Sequence, residues 1–318
     1  MHLIINQVII LKLSQNIFLP MAWIFLTISA TILQTFRNIE QKNLGRKLDA
    51  LSASWSRFIL PLPLAIICLF LTIDDVNLKF LQCVMICSVF QILGNVMMIK
   101  TLQSKNFSIG IAFMKTEALQ AVVVGGIIFS LTVSNISIMA IIIASVGVLL
   151  ISNLKFSNSS KILTNLKSSS TLYGLFGGFC FSITGFNIKI ATTNLSALGF
   201  NKINAGIITL MWIIFLQNIL FALVKSFQKR LIVDFKKIVN IENKKSFLKA
   251  SFYSFFGSIA WFCAYSFGEV ILVKTLGQIE LVFALLVSHF MFKERHNFKE
   301  IIGIFLILLG ILVVINYN

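Results

Sequence analysis

The stretch IIGIFLILLGILVVI, Ile301–Ile315, runs without a single polar side chain. Coiled as a helix it is apolar on every side, so no face is left for water. Such a helix lies in a large core or in lipid. Ile142–Ile151 reads in nearly the same way. Working outward from Ile301–Ile315, ten apolar blocks can be marked, each long enough to span a bilayer. The first five are Met21–Arg37, Ser52–Leu71, Phe80–Ile99, Phe107–Ser130 and Asn135–Ser152. The second five are Leu172–Ile188, Ile203–Val224, Phe247–Phe267, Val270–Phe292 and Glu300–Ile315. Repetition along the whole chain decides for lipid. Composition agrees: of 318 residues 58% are hydrophobic and 12% charged, against roughly 25% charged in soluble proteins. The expected fold is an all-α integral membrane protein with ten transmembrane helices.

The net charge of +16 raises nucleic acid as a partner, but the basic residues lie mainly between the apolar blocks. Membrane orientation explains them better, so no nucleic-acid partner is expected. The loops after the first, third, fifth, seventh and ninth blocks hold twenty Lys and Arg, eight of them between Lys225 and Lys249. The opposite side holds Lys12, Lys79, Lys189 and Lys202. By the positive-inside rule both termini lie outside the cytoplasm. Residues 1–20 are apolar over Leu3–Leu13 but short for a span, and no small-residue cleavage site stands out. Met21-Ala22-Trp23 reads as a start, so 1–20 is expected to be an N-terminal extension or an interfacial segment. The Ser- and Asn-rich stretch 156–170 reads as a linker between a first half, 21–155, and a second, 171–318. The short gap after the eighth block predicts a tight turn around Gly268.

Sliding the chain by 163 residues without gaps lays Gly94 on Gly257, Glu117 on Glu280, Ala121 on Ala284 and Gly147 on Gly310. The chain therefore reads as five helices duplicated. Five is odd, so the halves insert with opposite orientation. Inverted repeats are a transporter architecture with the substrate site between the halves.

The chain resembles the EamA type of the drug/metabolite transporter superfamily over about residues 21–316. The resemblance rests on Met21-Ala22-Trp23 through Gln34-Thr35-Phe36-Arg37-Asn38, on Trp55-Ser56-Arg57-Phe58, and on Lys274-Thr275-Leu276-Gly277-Gln278-Ile279-Glu280. Phe292-Lys293-Glu294-Arg295, Gly303 and Gly310 complete it. The chain departs from the family at Ser130-Leu131, where Gly-Glu is frequent, and at Lys293, where Gly is common. The resemblance implies a secondary transporter and leaves substrate and direction open.

Charge inside a span costs roughly 2.5–3.5 kcal/mol at the helix centre, so each such residue is a candidate for function. Arg57, Lys115, Glu117, Lys274 and Glu280 stand out. Lys115 and Glu117, about 200° apart on a helix, point away from each other and are expected to pair across helices. Lys274 and Gln278 are four apart and share a face suited to a carboxylate or phosphate. Trp261 is deep enough in its block to line a cavity; Trp55 and Trp212 are expected as interfacial anchors. The substrate cavity is therefore expected among Arg57, Lys115, Glu117, Trp261, Lys274, Gln278 and Glu280. Structural ion pairs are the alternative reading for the charged members.

Pro61 and Pro63 predict a kink in the second block. Gly174 and Gly178 read as close helix packing. The five cysteines all sit in apolar blocks with no CxxC pair, and read as packing residues. His2, His289 and His296 are too scattered for a metal site, and no phosphate-binding loop or nucleophile-base grouping appears. No catalytic residue, metal or cofactor is expected, and the chain is not read as an enzyme. The reading is a bacterial inner-membrane secondary transporter of a small polar metabolite, such as an amino acid, with Glu117 and Glu280 available to a coupling proton. The alternatives are a lipid-linked flippase and a non-transporting membrane subunit. Oligomeric state is left open.

Overall fold

The computed structural model describes residues 2–104, 107–151, 168–292 and 297–317, with side chains from Met21 onward except at 107–109, 241–243, 288 and 291–292. The linker expected at 156–170 lies outside the described residues except for Ser168–Ser170, as do residues 293–295 of the resembling motif. Among the described residues the chain is helical, with no strand. In order come α1 (His2–Gly45), α2 (Ala50–Ile59), α3 (Leu62–Thr72), α4 (Leu78–Gln103), α5 (Phe107–Lys115), α6 (Glu117–Phe129) and α7 (Asn135–Ile151). Then follow α8 (Ser169–Ala197), α9 (Lys202–Phe227), α10 (Leu231–Val239), α11 (Ile241–Phe267), α12 (Val270–Gly277), α13 (Glu280–Phe292) and α14 (Phe298–Asn316). All ten apolar blocks fall on helices. Among the described residues six stretches are long and apolar enough to cross a membrane: α4, Gly110–Phe129, α8, α9, Val270–Val287 and α14. The bent pair α2–α3 makes a seventh if it is one span. The protein is thus a multi-pass helical membrane protein.

The kink expected from the prolines is a bend of 60° between α2 and α3. Pro61 lacks an N–H and its ring obstructs the preceding turn. Pro63 sits in the first turn of α3, where an N–H has no intrahelical partner to lose. The link between α11 and α12 is the two-residue turn Gly268–Glu269. A Cβ at Gly268 would stand 2.8 Å from Cγ of Trp23, so glycine lets α1 close against the turn.

The most extensive pairings are α1 with α11, α4 with α8 and α7 with α14. The last is a small-residue crossing: a Cβ on Gly147 would lie 2.6 Å from the Gly303 carbonyl oxygen, and one on Gly303 2.7 Å from that of Gly147. Backbones this close give dispersion contact that lipid cannot match. Gly174 and Gly178 do the same where α8 meets the Gly110 and Met114 carbonyls of α5, as packing glycines should. Trp55 and Trp212 do not behave as interfacial anchors. Both are buried, and their indole N–H groups bond Asn218 Oδ1 at 2.9 Å and Thr72 Oγ1 at 3.0 Å, because an indole donor taken from water needs an acceptor.

An ionic knot outside the spans fixes the start of α2. Asp49 caps it through Ser52 N at 3.2 Å and accepts from Lys225 at 3.1 Å. Lys225 also holds Asp234 at 2.6 Å, and Asp234 takes Arg230 at 3.1 Å. Partial burial works against the charge on Asp49. Its bonds from Ser52 and the Lys225 ammonium outweigh that and hold the carboxyl below its usual range.

Gly147→Val should lower the unfolding midpoint in detergent, by about 1–3 kcal/mol of overpacking, because the obstacle is backbone. Gly126→Ala, whose new Cβ would meet nothing nearer than 3.9 Å, should leave it nearly unchanged. Equal midpoints for the two variants in a thermal melt would refute the crossing as a tight contact.

Candidate substrate cleft

Two helical blocks that read as continuous in the sequence are broken. The fourth stops at Lys115 and resumes at Glu117; the ninth stops at Gly277 and resumes at Glu280. At each break the backbone tightens to i→i−3 bonds, Thr116 N to Phe113 O at 3.3 Å and Ile279 N to Leu276 O at 3.0 Å. The break puts each glutamate in the first residue of a new helix, where the exposed N–H groups favour a carboxylate. The two positions differ by the 163 residues of the internal register.

The charges at the breaks pair crosswise. Lys115 of the fourth block bonds Glu280 of the ninth. Lys274 of the ninth bonds Glu117 of the fourth at 3.2 Å. Lys115, Lys274 and Glu280 are buried, and Glu117 nearly so. Glu280 also accepts from Gln34 Nε2 and, at 2.7 Å, from Asn38 Nδ2. Every partner of Glu280 is a donor, as an ionised carboxylate requires. Gln34 in turn accepts from the Trp261 indole at 2.9 Å, and Trp261 stacks on Tyr265 with centroids 5.9 Å apart.

These groups border a cleft of about 780 Å³, its open mouth included, walled by α1, α2, α4, α5, α6, α8, α11, α12 and α13. Of the residues expected there, Arg57, Lys115, Glu117, Trp261, Lys274 and Glu280 line it. Gln278 does not. The helix ends at Gly277, so the four-residue spacing no longer sets Gln278 beside Lys274. Its amide turns to the Lys115 carbonyl at 3.4 Å and Ser145 Oγ at 3.5 Å. The cationic face expected from Lys274 and Gln278 is therefore absent, since Lys274 is spent on Glu117.

Sequence reading missed Gln34, Arg37 and Asn38 of α1, and Asn95 of α4, which also line the cleft. The signal was present. Gln34, Arg37 and Asn38 are spaced three and four apart, one polar stripe on an otherwise apolar helix. The cysteines are free and packed as expected, four buried and Cys68 half-buried. Among the described residues no group of three His, Cys, Asp or Glu is placed to hold a metal.

Buried charge at paired helix breaks, around a cleft inside a multi-pass bundle, defines a membrane protein with an internal polar site. Residues 168–316 match the EamA-like transporter family, part of the drug/metabolite transporter superfamily. Members of that family are transporters, not enzymes. No curated protein matches the chain by sequence. A crystal structure of a protein shares the fold with a TM-score of 0.65 at 10% identity, covering 92% of this chain and 98% of its own.

Lys115→Met or Glu280→Gln alone leaves a buried charge without its counter-ion and should cost about 3 kcal/mol. The double variant should recover more than half of that loss. A chemical-unfolding series in which the two losses simply add would show that the pair is not coupled.

Proposed function

We propose that this chain is a secondary transporter of a small polar metabolite, an amino acid or related compound, across an inner (cell) membrane. Its ten apolar blocks act as ten spans in two inverted five-helix halves, with the cleft near the bilayer midplane between them. The observation that carries this reading is the pair of matched helix breaks with crossed ion pairs. Each half supplies a glutamate to the other's lysine, so motion of one half against the other trades these contacts. The packing supports the duplication. The first block packs on the eighth and the third on the sixth, which are one and the same pairing when the halves are exchanged. The fifth packs on the tenth, which maps onto itself.

The sequence carries no phosphate-binding loop, so the movement is read as driven by an ion gradient, by exchange or by simple facilitation, and Glu117 and Glu280 are the carboxylates placed to take part in coupling. The excess of basic residues on one side supports both termini lying outside the cytoplasm.

The test begins with thermal stabilisation of the full-length protein by the twenty amino acids and a set of small organic acids. Compounds that stabilise it are then followed as radiolabelled solutes into proteoliposomes. Uptake should saturate, and Glu117→Gln and Glu280→Gln should each slow it at least about tenfold, as loss of one charged partner implies. A reporter inserted after Lys237 should read cytoplasmic. Stabilising compounds that never enter the vesicles would reject transport, and an external signal at Lys237 would reject the orientation.

A further inference from the structure

The cleft walls carry four cations, Arg37, Arg57, Lys115 and Lys274, against two carboxylates, Glu117 and Glu280. The lysines are matched one to one with the glutamates. The arginines are left over from that pairing: Glu280 lies near enough to Arg37 to attract it, and Arg57 has no carboxylate beside it. Arg57 is 3% exposed and Arg37 6%, and among the described residues no ion pair forms within 4 Å of either.

What Arg57 touches is neutral: Asn95 Oδ1 at 2.6 Å, Ser258 Oγ at 3.5 Å and the Phe58 ring at 4.8 Å. Arg37 reaches Asn38 Oδ1 at 2.9 Å and Met98 Sδ at 3.9 Å. The two guanidiniums also lie close enough to repel each other. Two like charges taken from water cost several kcal/mol each unless something negative joins them. The orphaned atoms point the same way. Arg57 Nε and Asn95 Nδ2 are both buried and both without a partner. Both are N–H donors, so what satisfies them is an acceptor.

We infer that Arg37, Arg57 and Asn95 form an oxyanion site, which binds a carboxylate or phosphate group of the transported metabolite. The inference rests on the transport reading and narrows it to anionic or zwitterionic substrates. Guanidinium forks match two-oxygen anions in geometry as well as charge. One such group, with one or two negative charges, offsets the excess of two positive charges on the walls. The anchoring cations are then the arginines, and the lysines hold the two halves together.

The test uses wild-type, full-length protein in detergent, with phenylglyoxal labelling of arginines read by mass spectrometry. The probes are succinate and glycerol phosphate, with chloride at equal ionic strength, glycerol and putrescine as controls. Succinate or glycerol phosphate should slow labelling of Arg37 and Arg57 at least about fivefold and leave exposed Arg46 unchanged. Arg57→Gln should weaken stabilisation by the same anion at least about tenfold, and Arg57→Lys less. Failure of both anions to protect either arginine overturns the proposal. So does protection by phosphatidylglycerol vesicles alone, which would make this a lipid headgroup site. Stabilisation by glycerol or putrescine with the arginines still reactive overturns the anion site but leaves transport standing. Protected arginines with no vesicle uptake of the anion would instead fail the transport reading alone.

Discussion

Two ammonium–carboxylate pairs, Lys115–Glu280 and Lys274–Glu117, join the fourth apolar block to the ninth through the interior of the molecule. Burying any one of these charges alone costs about 3 kcal/mol or more. Each of these two blocks therefore presents its lysine to the other's glutamate. The helix breaks follow from the same constraint. A carboxylate in the middle of an apolar helix has no donor from its own backbone. Opening the helix one or two residues earlier gives it the free N–H groups of a new first turn. Thr116 and the Gln278–Ile279 step serve as those openings.

Around the pairs the other helices supply reach. The Pro61 bend brings α2 to the cleft with Arg57 in its last turn, and the Asp49–Lys225–Asp234 knot holds the opposite end of α2. The polar stripe of α1 links Glu280 to Trp261 through Gln34. The small-residue crossing of α7 and α14 lies away from all of this. Gly147 and Gly303 lock those two helices by shape, with no charge involved.

Much of the fold was legible in the sequence because lipid imposes a plain rule. Ile301–Ile315 admits one structure, and the repeated blocks extend that reading along the chain. The kink at Pro61 and the turn at Gly268 were legible for local steric reasons. The breaks at Thr116 and Ile279 were not, since neither carries a proline, and Glu117 and Glu280 look like interior residues of continuous spans. Missing the breaks is what set Gln278 beside Lys274 on paper. Arg57, Lys115, Glu117, Lys274 and Glu280 were legible from their cost in lipid; Arg37 was not, because it closes its apolar block and reads as a loop charge. Asn95 was not, because an uncharged amide in an apolar helix costs less and stands out less, and Gln34 showed only through its spacing with Arg37 and Asn38. Which lysine meets which glutamate depends on packing between distant helices, and spacing within one helix carries no information about that.

Alternating exposure of this one cleft is the central claim, and thiol accessibility tests it most directly. In a background with Cys68, Cys83, Cys87, Cys180 and Cys263 replaced by alanine, Ser258→Cys places a single thiol in the cleft wall. A membrane-impermeant maleimide is applied from each face of oriented proteoliposomes, with and without a transported solute. The account predicts labelling from one face at rest and a shift toward the other face when solute is saturating. Labelling from the same face under both conditions, or from both faces at once, would contradict it.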